Sequence, residues 1–176
     1  MFETRFPELF ESLLKSRGLS ETLAREDFLN PQYEKLHSPL LLPNIERAVD
    51  RFLQAIRKGE HIAIYSDYDA DGIPGAVVFS DFFRRIGYEN VSFYIPHRHT
   101  EGFGLNHEAI DEIAERGAKL ILTIDCGVAD KEEVSHANNL GLDVIITDHH
   151  EPPEELPEAY AVVNPRLKGR DRKSVV

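Results

Sequence analysis

From residue 60 onward the chain alternates between two hydrophobic periods. Continuous apolar runs at His61–Ser66, Val91–Pro96, Lys119–Asp125, Asp143–Thr147 and Tyr160–Val163 have the length and β-branched content of strands. Between them, Pro74–Ile86, Asn106–Arg116 and Lys131–Leu140 carry apolar residues at helical spacing, and each is followed by a glycine: Gly87, Gly117 and Gly141. A strand that is apolar at every position must be covered on both faces, and strands separated by helices pair in parallel. The pattern predicts an α/β fold: a Rossmann-like, mainly parallel sheet of about five strands with helices on both faces. Residues 1–58 predict a helical N-terminal segment. One helix runs from Phe6 through Leu14 and stops at Gly18. A second, capped by Ser20, ends at Asn30-Pro31. A third is capped by Asn44, places Ile45, Ala48, Val49, Phe52 and Ile56 on one face, and closes at Gly59. The expected division is therefore a lead-in over 1–58 and a catalytic domain over 59–176.

Composition narrows the class. At 41% hydrophobic residues the chain can bury a core. No apolar run approaches the ~18–20 residues that span a bilayer, which predicts no membrane partner. The opening Met1-Phe2-Glu3-Thr4-Arg5 has no apolar signal region. A single cysteine excludes an internal disulfide and fits a cytoplasmic protein. The net charge of −11 argues against a broad nucleic-acid surface, although Arg166, Lys168, Arg170, Arg172 and Lys173 gather basic charge near the C-terminal end.

The chemistry concentrates at the carboxyl ends of the predicted strands, where open parallel sheets bind ligands. The first strand leads into Asp67, Asp69 and Asp71, the third into Asp125, and the fourth into Asp148-His149-His150. The second leads into His97-Arg98-His99. Carboxylates crowded at alternate positions repel one another unless a cation lies between them. Carboxylates with imidazole suit manganese, magnesium or zinc, and a bridged pair of such ions is an arrangement used to cleave phosphoesters. A calcium loop of EF-hand type fails, because its closing glutamate would fall at Val78. Adjacent side chains on a strand point to opposite faces, so His149 is expected to ligate metal while His150 faces substrate. Asp148 is then expected to fix a histidine tautomer or to share a metal.

Asp67-Tyr68-Asp69-Ala70-Asp71-Gly72, Thr123-Ile124-Asp125-Cys126-Gly127 and Thr147-Asp148-His149-His150 resemble the first three motifs of the DHH phosphoesterase superfamily. Ile95–Arg98, Glu101–Leu105 and Ala161–Pro165 extend the resemblance to its RecJ-like single-stranded-DNA-specific exonucleases. The resemblance implies a hydrolase dependent on Mn2+ or Mg2+, with two ions in the complete enzyme. It would degrade single-stranded DNA from the 5′ end in recombination and repair, with metal-activated water attacking the phosphodiester. A single-strand-binding protein is an expected partner. By motif match, Asp67, Asp69, Asp71, Asp125 and His149 are the metal ligands. His150 and Asp148 are the catalytic residues, and Arg98 is the substrate-binding residue. A fourth motif with a further aspartate is expected beyond the last residue, which reads the chain as an N-terminal part. Two alternatives remain at this point: a DHH-type hydrolase of short oligonucleotides or cyclic dinucleotides, and a catalytically incomplete binding or scaffold fragment.

Overall fold

Alternation along each strand explains why the apolar runs are unbroken. In the computed structural model, which describes residues 6–167, β1 (His61–Ser66) turns Ile62 and Ile64 to one face of the sheet and Ala63 and Tyr65 to the other. β3 (Ala118–Ile124) and β4 (Asp143–Thr147) divide in the same way, with Leu120, Leu122 and Ile145 opposite Ile121, Val144 and Ile146. α3 (Ile45–Lys58) and α4 (Gly72–Ile86) supply Ala48, Phe52, Ala55, Ala76 and Phe83 to the first layer. α5 (His107–Glu115) and α6 (Lys131–Asn139) supply Ala109, Ile110, Ile113, Val134 and Ala137 to the second.

The sheet has the order β2-β1-β3-β4-β5, with β2 at Val91–Tyr94 and β5 at Ala161–Val163, and every pairing is parallel. After β1 the chain moves to one side to form β2. It then returns past β1 to form β3. The crevice where the winding reverses therefore lies between the carboxyl ends of β1 and β3, the position at which such sheets bind ligands. β2 is shorter than expected because Pro96 has no N–H for a ladder, and His97-Arg98-His99 fall in a turn closed by Glu101 N–H to His97 O at 2.9 Å.

The chain divides into two compact units, Met1–Ser38 and Pro39–Val176. In the first, α1 (Pro7–Ser16) and α2 (Thr22–Leu29) are tied by Arg25, whose guanidinium donates to both carboxylate oxygens of Glu11 at 2.9 and 2.5 Å. α3 belongs to the second unit, so that unit begins at Pro39, earlier than the expected boundary at 59. Two expected caps do not form. α2 starts at Thr22, two residues beyond Ser20, with Glu21 in the cap position. Asn44 precedes α3 in a left-handed conformation (φ 58°) and donates Nδ2 to Val162 O at 2.8 Å, which fastens the helix to β5 instead of capping it. Val49 is exposed rather than buried. Arg51 takes the inward position, donating Nε to Asp143 at 2.5 Å, placing Nη1 2.8 Å from Glu60 and reaching Lys119 O at 3.3 Å. Of the basic C-terminal cluster, Arg166 pairs with Glu151 at 2.9 Å, and the other members lie outside the described residues.

Arg51 is 6% exposed, so removing it strands two carboxylates beside the sheet. Arg51→Leu is expected to lower unfolding free energy by ~2–4 kcal/mol, read as a reduced urea midpoint at unchanged slope. A loss under ~0.5 kcal/mol, the usual range for surface changes, would show that the ion triad carries no stability.

Candidate metal centre

Three aspartates continue the sheet beyond its strand ends, each tied to the next strand across. The Asp67 N–H donates to Ile124 O at 3.1 Å, Asp125 N–H to Thr147 O at 2.9 Å, and Asp148 N–H to Val163 O at 3.1 Å. The ladder therefore fixes the backbone of all three before any side chain makes a contact. The backbone then turns sharply at Asp125, which is left-handed at φ 62°, and Gly127 follows at φ 106°. A non-glycine residue rarely adopts this conformation, and it persists only where its surroundings impose it. Thr123 supplies that constraint by donating Oγ1 to Cys126 O at 2.7 Å, and Thr147 donates Oγ1 to Thr123 O at 2.6 Å. Cys126 itself is a buried free thiol behind the turn.

Beyond β1 the chain wraps tightly. Asp69 Oδ1 accepts from the Asp71 and Gly72 N–H groups at 2.8 and 3.0 Å, which satisfies the first turn of α4. Glycine is required at 72 because a Cβ there would lie 2.3 Å from Asp67 O. At Gly75 a Cβ would lie 2.6 Å from Ile124 Cγ2, so this glycine lets α4 approach β3 closely.

The carboxylates do not neutralise one another. Asp67 Oδ1 and both oxygens of Asp125 are buried without a hydrogen-bond partner, an exception that calls for a cause. Asp67, Asp69 and Asp125 form one group whose ligand atoms all lie within 4.8 Å of one another, and Asp125, His149 and His150 form a second. Asp125 belongs to both. Burial, with the adjacent Asp69 carboxylate, pushes the Asp125 carboxyl up to about 6. Asp69 stays below the usual carboxylate range because backbone N–H groups of Gly72 and Asp71 hold its anion. Orphaned buried oxygens, hard donors and two adjoining groups all fit divalent cations.

The two histidines depart from the expectation of opposite faces. They follow β4 rather than lying on it, so strand alternation does not govern them, and their rings sit 4.9 Å apart on the same side as Asp125. His149 Nε2 is 3.0 Å from Asp125 Oδ1 and 3.9 Å from Asp71 Oδ2. His150 Nδ1 bonds Asp148 at 2.7 Å, which raises the imidazole above its usual value and leaves Nε2 free. Asp148 lies behind the site with both oxygens engaged. It accepts from the N–H groups of Val128, His149 and His150 at 3.0, 2.7 and 3.0 Å as well as from the ring. The geometry thus favours the tautomer-fixing role over a shared metal. Asp71 is exposed at the rim and belongs to neither group, yet it helps line a cleft of about 400 Å3 with Asp125, Thr147, Asp148 and His149. Arg98 stacks over the Tyr68 ring at 4.6 Å, beside the Asp67–Gly72 turn.

Three positioning residues carry no motif-level signal of their role. Asn164, fully buried, donates Nδ2 to His150 O at 2.9 Å and accepts from Arg166 N–H at 2.8 Å. Glu101 accepts from Tyr94 Oη, His97 N–H and Asn106 Nδ2. Asp130 accepts the Leu105 N–H at 2.7 Å. Asn164 and Glu101 lie in stretches that resemble the family, but their pairings join segments distant in sequence.

The raised Asp125 carboxyl makes the metal-free protein pH-sensitive in a defined direction. Between about pH 4 and pH 6 the folded chain holds a proton that the unfolded chain releases, so this residue's contribution to stability falls as pH rises through that window. Asparagine tolerates left-handed backbone. In chelator at pH 8, Asp125→Asn is expected to raise stability by about 1–3 kcal/mol, with the advantage vanishing near pH 4. Manganese should raise the melting temperature of the original chain but not of the variant. A variant less stable than the original in chelator at pH 8 would remove the unpaired-carboxylate account.

Comparison with known proteins agrees with this geometry. Residues 61–175 match the model of the DHH family, N-terminal domain. The chain is 43% identical over 161 residues to the single-stranded-DNA-specific exonuclease RecJ of Bacillus subtilis, which covers 92% of this chain and 20% of that protein. It is 38% identical over 162 residues to RecJ of Salmonella typhimurium, covering 92% of this chain and 27% of that one. The chain thus spans between a fifth and a third of the length of these relatives. A crystal structure of exonuclease RecJ bound to manganese superposes with a TM-score of 0.68 at 35% identity, covering 75% of this chain and 34% of the other. RecJ from Thermus thermophilus in complex with Mn2+ gives a TM-score of 0.66 at 30% identity, covering 89% and 22%. With the three motifs converging on one sheet edge and the match running from β1 onward, this chain belongs to the DHH family.

Proposed function

We propose that the DHH-matched part of this chain is the catalytic domain of a metal-dependent phosphodiesterase that degrades single-stranded DNA from its 5′ end. The observation that carries the reading is that the buried, unpartnered Asp125 is common to two adjoining ligand groups. Asp67 and Asp69 would hold one Mn2+ or Mg2+ ion with Asp125, and His149 the other, with Asp71 at the rim. Manganese is favoured because the two solved relatives are described with it. Bound there, the ions would supply positive charge to the phosphoryl oxygens and lower the pKa of the attacking water.

The chain's own residues hold the rest of the reaction in place. Asp148 fixes the His150 ring by accepting from Nδ1 and favours its protonated form, and the protonated ring offers Nε2–H to the phosphate or leaving oxygen as hydrogen-bond donor. Asn164 holds the carbonyl of the same residue, which anchors the backbone that carries the ring. Arg98, with Cζ 4.6 Å over the Tyr68 ring, presents a guanidinium suited to a second phosphate. The proposal extends to work in DNA repair and recombination, which the RecJ names of the relatives support, and to a cytoplasmic setting with a single-strand-binding protein as partner. Among the described residues no helix is long and apolar enough to cross a membrane. A second reading, hydrolysis of short oligonucleotides or cyclic dinucleotides, draws support from the net charge of −11.

Two measurements test the proposal together. Calorimetric titration with Mn2+ should show binding that Asp125→Ala abolishes and His149→Ala weakens at least tenfold, about 1.4 kcal/mol or more. A single strand labelled at its 3′ end should be shortened stepwise from the 5′ end only with the metal, and at least a hundredfold more slowly by Asp125→Ala, about 2.7 kcal/mol of barrier. Absence of manganese binding would sink the metal reading. Faster hydrolysis of a dinucleotide than of the long strand would favour the second one.

A further inference from the structure

Phe103 stands in the open beside the candidate centre, and the fold holds it there. Its ring is 56% exposed and meets His150 edge-on, with centroids 5.6 Å apart and planes at 77°. Isolated exposed aromatics are common on surfaces and need no account. This one differs in what surrounds it. It lies between Gly102 and Gly104, both left-handed at φ 82°. A Cβ on Gly104 would fall 2.7 Å from the Asp130 carboxylate, the group that accepts the Leu105 N–H.

The same short loop is fastened from beneath by side chains of the sheet. Tyr65, completely buried, donates Oη to Gly104 O at 2.9 Å, and its ring stacks on Tyr94 at 5.2 Å. Asn106 donates Nδ2 to Tyr65 Oη at 3.2 Å and to Glu101 at 3.3 Å. Glu101 also accepts from Tyr94 Oη, and at 2.6 Å from His97 N–H. Buried polar networks fully satisfied in this way rigidify the segment they hold. None of these groups reaches the carboxylates. Their common effect is to fix a two-glycine loop whose one large side chain is left outside, face available, next to the histidine that would meet the phosphate.

We propose that Phe103 is a nucleobase-stacking subsite: its ring receives the base of a nucleotide whose phosphate meets the outer edge of His150 beside the candidate metal centre. Only a sugar separates base from phosphate, and Phe103 is separated from Asp125 by a single side chain, His150, whose Nδ1 is 3.9 Å from Asp125 Oδ1. Stacking on a phenyl ring discriminates little among bases, which suits an enzyme taking successive nucleotides of any sequence. It also favours single strands, because the faces of a base inside a duplex are covered by its stacked neighbours. The subsite rests on the phosphodiesterase reading above.

The test uses the full chain with manganese and two short phosphorothioate strands that resist cleavage. One carries 2-aminopurine at its two 5′-terminal positions, and the other carries abasic tetrahydrofuran residues there. The original chain is expected to bind the base-bearing strand more tightly and to quench its fluorescence. Phe103→Ala should weaken that binding about tenfold and lose the quenching, while changing affinity for the abasic strand less than about twofold; Phe103→Trp should restore both. Equal weakening on both strands would mean that Phe103 acts only by packing His150, and would overturn the proposal. So would an original chain indifferent to the missing bases. If the original chain binds neither strand, the nuclease reading itself falls and the subsite with it.

Discussion

The backbone hydrogen bond from Asp125 to Thr147 is the constraint on which the site depends. It carries the β3–β4 ladder past the end of the strand and holds a carboxylate in left-handed backbone at the reversal of the sheet's winding. An aspartate there could otherwise relax toward solvent and take its hydrogen bonds from water. Held as it is, both oxygens stay buried without a hydrogen bond, and the His149 ring approaches one of them, at 3.0 Å. The equivalent bonds at Asp67 and Asp148 act on the neighbouring strands. The aspartates differ in what their side chains then meet. Asp148 is surrounded by N–H donors and stabilises a loop, whereas Asp67 and Asp125 lie together at the crevice with no backbone N–H supplied and the exposed His149 ring near Asp125.

That contrast separates structural from functional acidity in this chain. Where the fold needs an anion for itself, it brings a cation or backbone N–H groups to it. Arg51 answers Glu60 and Asp143, and Asp148 is answered four times over. A protein optimised only for stability would have filled the Asp125 position with a neutral residue, because a buried unpaired carboxylate opposes folding. Its presence, together with backbone strain at the same residue, marks a place where local stability is given up for binding.

The sheet and its order of elements were legible in the sequence because burial on both faces leaves an unmistakable pattern. β1 and β4 match their predicted bounds, and α4 to α6 differ only at their ends. The convergence of Asp67, Asp69, Asp125 and His149 was legible too, since strand ends in a parallel sheet share one edge. Caps were not. Ser20 and Asn44 have the right chemistry for helix caps, but α2 starts beyond Ser20, and a tertiary partner decided the use of Asn44, which bonds β5. Arg51 defeats hydrophobic periodicity for the same reason: a cation sits on an apolar face when anions at the sheet edge wait for it.

The histidine pair shows where one-dimensional reasoning ends. Strand alternation would have sent His149 and His150 apart, and it fails because the strand stops at Thr147 and Asp148 gathers the following backbone N–H groups into a tight turn. That turn aims both rings at Asp125. The agent of the convergence is therefore neither histidine but the buried carboxylate before them, seconded by Asn164 from β5's end. Residues whose work is to place other residues have partners far away in sequence, so their function becomes visible only once the chain has folded.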